Sequence, residues 1–113
     1  MEHYRWIKNL NAAITVCDRD GIIIEMNDKA IDVFAKDGGA ALVGTNLLDC
    51  HPEPAKSKLR AQLASQQTNV YTIEKQGKHK IIYQVPWYDK GEYGGLVEIA
   101  FEIPQDMPHF KRG

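Results

Sequence analysis

The sequence predicts an α+β domain: a five-stranded antiparallel sheet with several short helices and one longer helix on one face, plus an N-terminal amphipathic helix. Two observations predict this fold. Residues 12–27 hold two runs rich in β-branched residues around a turn, and residues 69–103 hold three runs with a period of two. The 113-residue chain has the length of one domain with a buried core.

The first segment, residues 1–12, is predicted to be the amphipathic helix. Its apolar residues fall at helical spacing between polar ones: Tyr4, Trp6, Ile7 and Leu10. Such a helix needs an apolar surface to lie on. We therefore expect these four residues to form a homodimer interface, with the helix on the outer sheet face of its own or the neighbouring subunit.

The next segments are predicted to form a hairpin and short helices. Residues 18–21 carry the Asp and Gly that favour a hairpin turn. Asn27 or Asp28 can cap a helix in which Phe34 and other apolar residues repeat every three or four positions. Residues 40–52 are expected to form one or two single-turn helices.

A longer helix and three strands complete the predicted core, residues 13–104, which leaves residues 105–113 as a short tail. Pro54 suits the first position of a surface helix that places Leu59 and Leu63 on one side. After this helix the period changes to two, which predicts three consecutive antiparallel strands.

Alternation along the fourth strand places Ile81, Tyr83, Val85 and Trp87 on one face, which we expect to point toward the helices. Ordinary core packing would then fill most of the interior. A modest pocket near Tyr71, Tyr83 and His51 would still suit a small, mostly apolar ligand with one polar group. The candidate cavity residues are Phe34, Leu48, His51, Leu59, Leu63, Tyr71, Tyr83, Trp87 and Ile99.

Composition excludes several classes of function. Fourteen Lys and Arg oppose fifteen Asp and Glu without a block of either sign, so nucleic acid is not an expected partner. Apolar stretches reach only about four residues, and the N-terminus lacks a signal-peptide run. Cytoplasmic residence, without a membrane partner, is the expectation. Cys17 and Cys50 stand apart, which suits a reducing compartment and argues against structural zinc.

The order and spacing of these elements resemble the PAS sensor family over nearly the whole chain. The resemblance rests on the closing hairpin at residues 88–99 and on these positions: Val16, Asp18, Gly21, Ile23, Asn27, Ala30 and Gly44. The tripeptide CHP at residues 50–52, before the longer helix, is similar to one subgroup. The resemblance implies a domain whose sheet and helices surround a small cavity, which binds a ligand or cofactor, and which dimerises. It does not identify the ligand.

Some members of this family bind flavin or haem. Family members that bond flavin covalently use a GxNC pattern, whereas Leu47 stands at the cysteine position here, so covalent flavin is excluded. Haem-binding members use a histidine near the long helix. Haem or another metal held by His51 or Cys50, as in a redox or gas sensor, is therefore the alternative. The structural interpretation makes Cys50 a small buried residue and Pro52 a bend.

No catalysis is expected, because Asp49, Cys50 and His51 are consecutive and cannot easily converge on one point. Many PAS domains end in an Asp-Ile-Thr motif that couples to an output helix, whereas this chain has Glu102, Ile103 and Pro104. Output is therefore expected through a partner protein in trans or through self-association. The leading hypothesis is a stand-alone PAS sensor or protein-interaction module that binds a small ligand or a partner.

Overall fold

The computed structural model describes residues 5–113 as five antiparallel strands with helices on one face, which confirms the predicted fold class. The strands are β1 Ala13–Asp18, β2 Ile23–Met26, β3 Asn69–Lys75, β4 Lys78–Asp89 and β5 Glu92–Ile103. The α-helices are α1 Arg5–Lys8, α2 Asp28–Val33 and α3 Ala55–Ser65. Three single-turn 3-10 helices lie between α2 and α3, at Ala35–Asp37, Gly39–Leu42 and Leu47–Cys50.

The strand order explains why the helices share one face. The sheet runs β2-β1-β5-β4-β3, so β2 and β3 are its two edges. The segment between these edges, residues 27–68, contains α2, the 3-10 helices and α3, and it crosses the sheet from one side to the other. A sheet and its covering helices bury their apolar surfaces against each other.

Asn27 joins the N-terminal segment, the sheet and α2. Its side-chain oxygen accepts hydrogen bonds from the backbone N–H groups of Ala30 at 3.1 Å and Ile14 at 2.9 Å. Its amide nitrogen donates to the backbone carbonyls of Ala12 at 2.8 Å and Ile7 at 2.9 Å. Asn27, the first of the two predicted capping residues, is therefore the N-cap of α2.

The described part of the N-terminal helix is α1, and the longer amphipathic helix over residues 1–12 stays a prediction. Lys8 pairs with Asp28 over 3.0 Å at the start of α2. Trp6 and Leu10 are exposed and Ile7 is half-buried. Tyr4, the fourth predicted interface residue, lies outside the described residues. In the part of the chain that the structure describes, no helix is long and apolar enough to cross a bilayer.

The prediction that Ile81, Tyr83, Val85 and Trp87 point toward the helices is wrong. Ile82 is buried at 8% exposure on the helical side, whereas Tyr83 is 41% exposed. The register pairs Ile82 with Ala100 and Tyr83 with Ile99. Because directly paired residues lie on the same face of a sheet, Tyr83 and Ile99 both face away from the helices.

The sheet surface away from the helices carries a continuous apolar patch, which we call the outer apolar face. Its members are direct cross-strand neighbours from four strands, with Val70, Tyr83 and Phe101 the most exposed. The outer apolar face consists of Ile14, Val16, Val70, Ile81, Tyr83, Val85, Val97, Ile99 and Phe101.

Trp87 connects the end of β4 to β1 and does not fill the interior. Its indole Nε1 donates a hydrogen bond to the backbone carbonyl of Cys17 over 2.9 Å. The register of β4 against β5 shifts between Trp87 and Tyr88, and the indole ring covers Gly94 of β5. A Cβ at Gly94 would collide with that ring, so the close approach requires glycine.

Candidate functional site

The main cavity lies between the helical face of the sheet and the segment from α2 to α3. Its volume is about 550 Å³, within the usual range for small-molecule sites, and most of its wall is apolar. The wall is formed by Thr15, Cys17, Ile23, Met26, Phe34, Asp37, Leu42, Leu47, Cys50, His51, Leu59, Tyr71, Ile73, Ile82, Gln84, Leu96 and Glu98.

The structure brings four of the predicted cavity residues together and separates the others. The four that line the main cavity are Phe34, His51, Leu59 and Tyr71. Leu63 packs beneath the cavity in a core cluster with Cys17 and Leu96. The remaining four do not line it: Leu48, Tyr83, Trp87 and Ile99.

The interior is more open than ordinary core packing would leave it. Tyr83 and Trp87 were expected to fill this space, but Tyr83 lies on the outer apolar face and Trp87 covers Gly94. On the helical side of β4 the cavity is lined by Ile82 and Gln84 instead. Both side chains are smaller than the two aromatic side chains that were expected there. The main cavity is open because the smaller side chains of β4, and not the aromatic ones, face the helices.

A row of polar side chains crosses the helical face of the sheet and was missed by the sequence analysis. Asn69, Gln84, Glu98 and Thr15 are successive partners across β3, β4, β5 and β1. Asn69 Nδ2 donates to Gln84 Oε1 over 3.1 Å, and Gln84 Nε2 donates to Glu98 Oε1 over 2.8 Å. The only sequence signal was the alternation that places Gln84 beside Ile82 and Glu98 beside Leu96.

Glu98 influences the ionisation of its neighbours. Burial, and secondly the negative charge of Glu98, raise the pKa of Tyr71 above its ordinary value. Burial is also the largest cause of the raised pKa of Cys17, whose thiol is only 2% exposed. Cys17 is therefore a neutral, buried thiol and a poor nucleophile.

The backbone carbonyl of Leu47 determines which nitrogen of the neutral His51 ring carries the hydrogen. Its Nδ1 lies 2.6 Å from the carbonyl oxygen of Leu47. A carbonyl oxygen can only accept, so Nδ1 carries the hydrogen, and Nε2 of the neutral ring is an acceptor. The neighbouring Cys50 is exposed, so the prediction of a buried Cys50 is wrong, and both residues line the main cavity.

The main cavity and a second, adjoining cleft differ in the charged residues that line them. Asp37 and Glu98 line the main cavity, and no Lys or Arg among residues 5–113 does so. The second cleft, of about 400 Å³, has both signs of charge in its wall: Lys29, Lys75, Lys80, Glu98 and Glu102. The two spaces meet at Phe34, Ile73, Ile82 and Glu98.

The described residues do not form a ready metal centre. Within residues 5–113, no three or more His, Cys, Asp or Glu side chains are grouped so that they could hold a metal ion. His51 could still supply one nitrogen ligand to a metal group that brings its other ligands, because the Leu47 carbonyl fixes the orientation of the ring.

The sequence and the fold were compared with known proteins. The family model described as "PAS fold" matches residues 7–105. No curated protein matches the sequence.

Three solved structures illustrate the similarity of the fold. The PAS domain of BvgS from Bordetella pertussis is 17% identical, with a TM-score of 0.65 over 92% of this chain and 85% of that one. The Aer2 receptor of Vibrio cholerae, described as a dual PAS-heme oxygen sensor, is 22% identical, with a TM-score of 0.58 over 82% and 95%. The VqmA dimer of Vibrio cholerae is 13% identical, with a TM-score of 0.65 over 91% and 51%.

Proposed function

The chain belongs to the PAS fold family, and on that ground we propose that it is a sensory module that binds a small, mostly apolar ligand in the main cavity. The observation that carries this proposal is the cavity itself. Its volume of about 550 Å³ and largely apolar wall suit a molecule of one or two rings. The polar groups concentrated at Glu98, Gln84 and His51 would orient such a ligand.

We expect binding without catalysis. The buried Cys17 thiol is kept neutral, and Cys50 is adjacent in sequence to His51, so a nucleophile and base directed at one substrate atom are not supplied. The module would therefore act through ligand-dependent contacts with proteins. The sequence-based expectation of a cytoplasmic location belongs with this proposal.

Self-association through the outer apolar face is part of the proposed function. Val70 and Tyr83 expose apolar surface there, and Trp6 of α1 is 65% exposed. Exposed aromatic and aliphatic side chains are typical anchors of protein interfaces. The predicted homodimer residues Trp6, Ile7 and Leu10 would join this surface. A signalling partner in trans would compete for it or bind the dimer.

Native mass spectrometry of protein purified without denaturant tests the proposal. We expect a retained mass that methanol extraction releases as a small molecule. Ile82→Phe should remove it, because Ile82 lines the main cavity. Ile81→Phe is the matched control, since Ile81 is its neighbour on the outer apolar face and should leave the bound mass unchanged. Absence of ligand after purification and after incubation with a cell extract would overturn the proposal.

The second candidate is a haem-based sensor ligated by His51. The orientation of the ring, held by the bond between Nδ1 and the Leu47 carbonyl, favours it, and the similar Aer2 structure is described as a haem oxygen sensor. Haem would supply an iron that binds a gas molecule. The fit is partial, because haem carries two carboxylates, whereas the main cavity is lined by Asp37 and Glu98 and by no Lys or Arg of residues 5–113. Strong visible absorption bands that His51→Ala removes would support this candidate.

A further inference from the structure

We propose that the main cavity selects ligands whose apolar body carries a cationic or neutral hydrogen-bond donor, above all an amine, and that Glu98 binds this head group. The inference rests on the proposed function, because it assigns a chemical class to the ligand of that same cavity. Anionic ligands of equal size are rejected.

The charge of the wall is the first support. Its ionisable residues include the carboxylates of Asp37 and Glu98, while Lys and Arg, over residues 5–113, stay outside the main cavity. A ligand carboxylate or phosphate would approach like charges in a partly desolvated space, which costs binding free energy. An ammonium group in the same position is attracted.

The hydrogen bonds of the polar row are the second support. Asn69 donates to Gln84, which orients the Gln84 amide, and Gln84 in turn donates to Oε1 of Glu98. The second oxygen, Oε2, accepts no hydrogen bond from any other residue within 5–113. A carboxylate fixed through one oxygen presents the other as an oriented, charge-assisted acceptor for a donor.

The ring of His51 is the third support. Its Nδ1–H is occupied by the carbonyl of Leu47, which leaves Nε2 as an acceptor in the neutral ring. With the ring neutral, His51 adds a second acceptor to Glu98 in the cavity wall, on a different element of the fold. A ligand with donors matches both, whereas a ligand with acceptors alone leaves them unpaired.

Three probes with one apolar body test the proposal. Tryptamine, tryptophol and indole-3-propionate share an indole and a two-carbon chain, and at neutral pH they end in an ammonium, a hydroxyl and a carboxylate. Amide NMR titrations of the full chain would measure each dissociation constant. We expect tryptamine to bind most tightly and indole-3-propionate at least tenfold more weakly than tryptamine. The shifted resonances should include those of Ile82 and Glu98.

The variant Glu98→Gln should remove most of the difference between tryptamine and tryptophol. Glu102→Gln is the matched control: it makes the same charge change on the same strand, but Glu102 pairs with Lys78 and lies outside the main cavity. It should keep the wild-type order. If Glu98→Gln fails to fold, wild-type titrations in rising salt replace it, with tryptamine weakening and tryptophol changing little.

Equal affinities for the three probes, or tighter binding of indole-3-propionate, would overturn the assigned ligand class while leaving a ligand-binding cavity. No binding of any probe would also overturn it. The mass spectrum of the purified protein then decides the proposed function separately, because a retained mass of another class sustains that function. Loss of selectivity in Glu102→Gln as well as Glu98→Gln would show that Glu98 is not the binding group.

Discussion

The indole Nε1 of Trp87 donates a hydrogen bond to the backbone carbonyl of Cys17 over 2.9 Å, so a side chain of β4 reaches across β5 to hold β1. Cys17 also belongs to the core cluster with Leu63 and Leu96. The contact thus connects the closing strands with the first hairpin beneath the main cavity. It gives Trp87 a structural role in place of the cavity role predicted from sequence.

Trp87→Phe should lower the free energy of unfolding by about 1 kcal/mol or more, because it removes this hydrogen bond and leaves a carbonyl without its partner. Urea denaturation followed by circular dichroism measures the change. Trp6→Phe is the control, since Trp6 is mostly exposed and its replacement should alter stability little. Equal stability of wild type and Trp87→Phe would contradict the assigned role.

Asn27→Ala should be more damaging, with a loss of about 2 kcal/mol or more, because a helix cap and several buried hydrogen bonds disappear together. Asn27 is only 4% exposed and bonds to groups of α2, β1 and the N-terminal segment. Thermal unfolding of Asn27→Ala beside Asn11→Ala, a change at an exposed asparagine, is the measurement. Similar melting temperatures for the two variants would count against this account of Asn27.

Tyr83→Lys should shift the protein from dimer to monomer, because it places a charge in the centre of the outer apolar face between Val70 and Ile99. Trp6→Ser should act in the same direction. Light scattering with size exclusion measures the mass. Val43→Lys, a change at an exposed apolar residue in the segment between β2 and α3, is the control and should leave the mass unchanged. A monomeric wild type would refute the dimer.

Stability should fall at alkaline pH. The pKa of Cys17 is raised above its ordinary value of 9.0 chiefly by burial, and those of Tyr71 and Tyr93 are raised above 10.0 chiefly by burial. The unfolded chain therefore releases these protons at lower pH than the folded protein does. The stabilisation is complete below the unfolded pKa and is lost as pH rises through the folded pKa.

Urea midpoints measured from neutral pH upward should decline above about pH 9, where a thiol of the unfolded chain begins to ionise. Cys17→Ala removes the first contribution, so its midpoint should decline less steeply than that of wild type over the first pH unit. Cys50→Ala is the control, because Cys50 is exposed. Parallel curves for wild type and Cys17→Ala would show that Cys17 does not contribute.

The sequence by itself determined the five strands, the helices α2 and α3, their order and the family resemblance. These follow from short-range causes: side-chain period, the Asp and Gly of the first turn, and the capping residue Asn27. It also named Phe34, His51, Leu59 and Tyr71, which do line the main cavity. Each of them belongs to a segment whose approximate place in the fold could be inferred from element order.

Only the tertiary structure decided which face of β4 and β5 points to the helices. Both faces of β4 carry apolar residues, with Ile81 beside Ile82, so alternation was satisfied equally by either orientation. Cross-strand register and the approach of Trp87 to Gly94 fixed the choice. In the resulting orientation Tyr83 faces away from the helices, and Gln84 and Glu98 face them. The polar centre of the cavity thus depends on contacts between strands, which no single stretch of sequence contains.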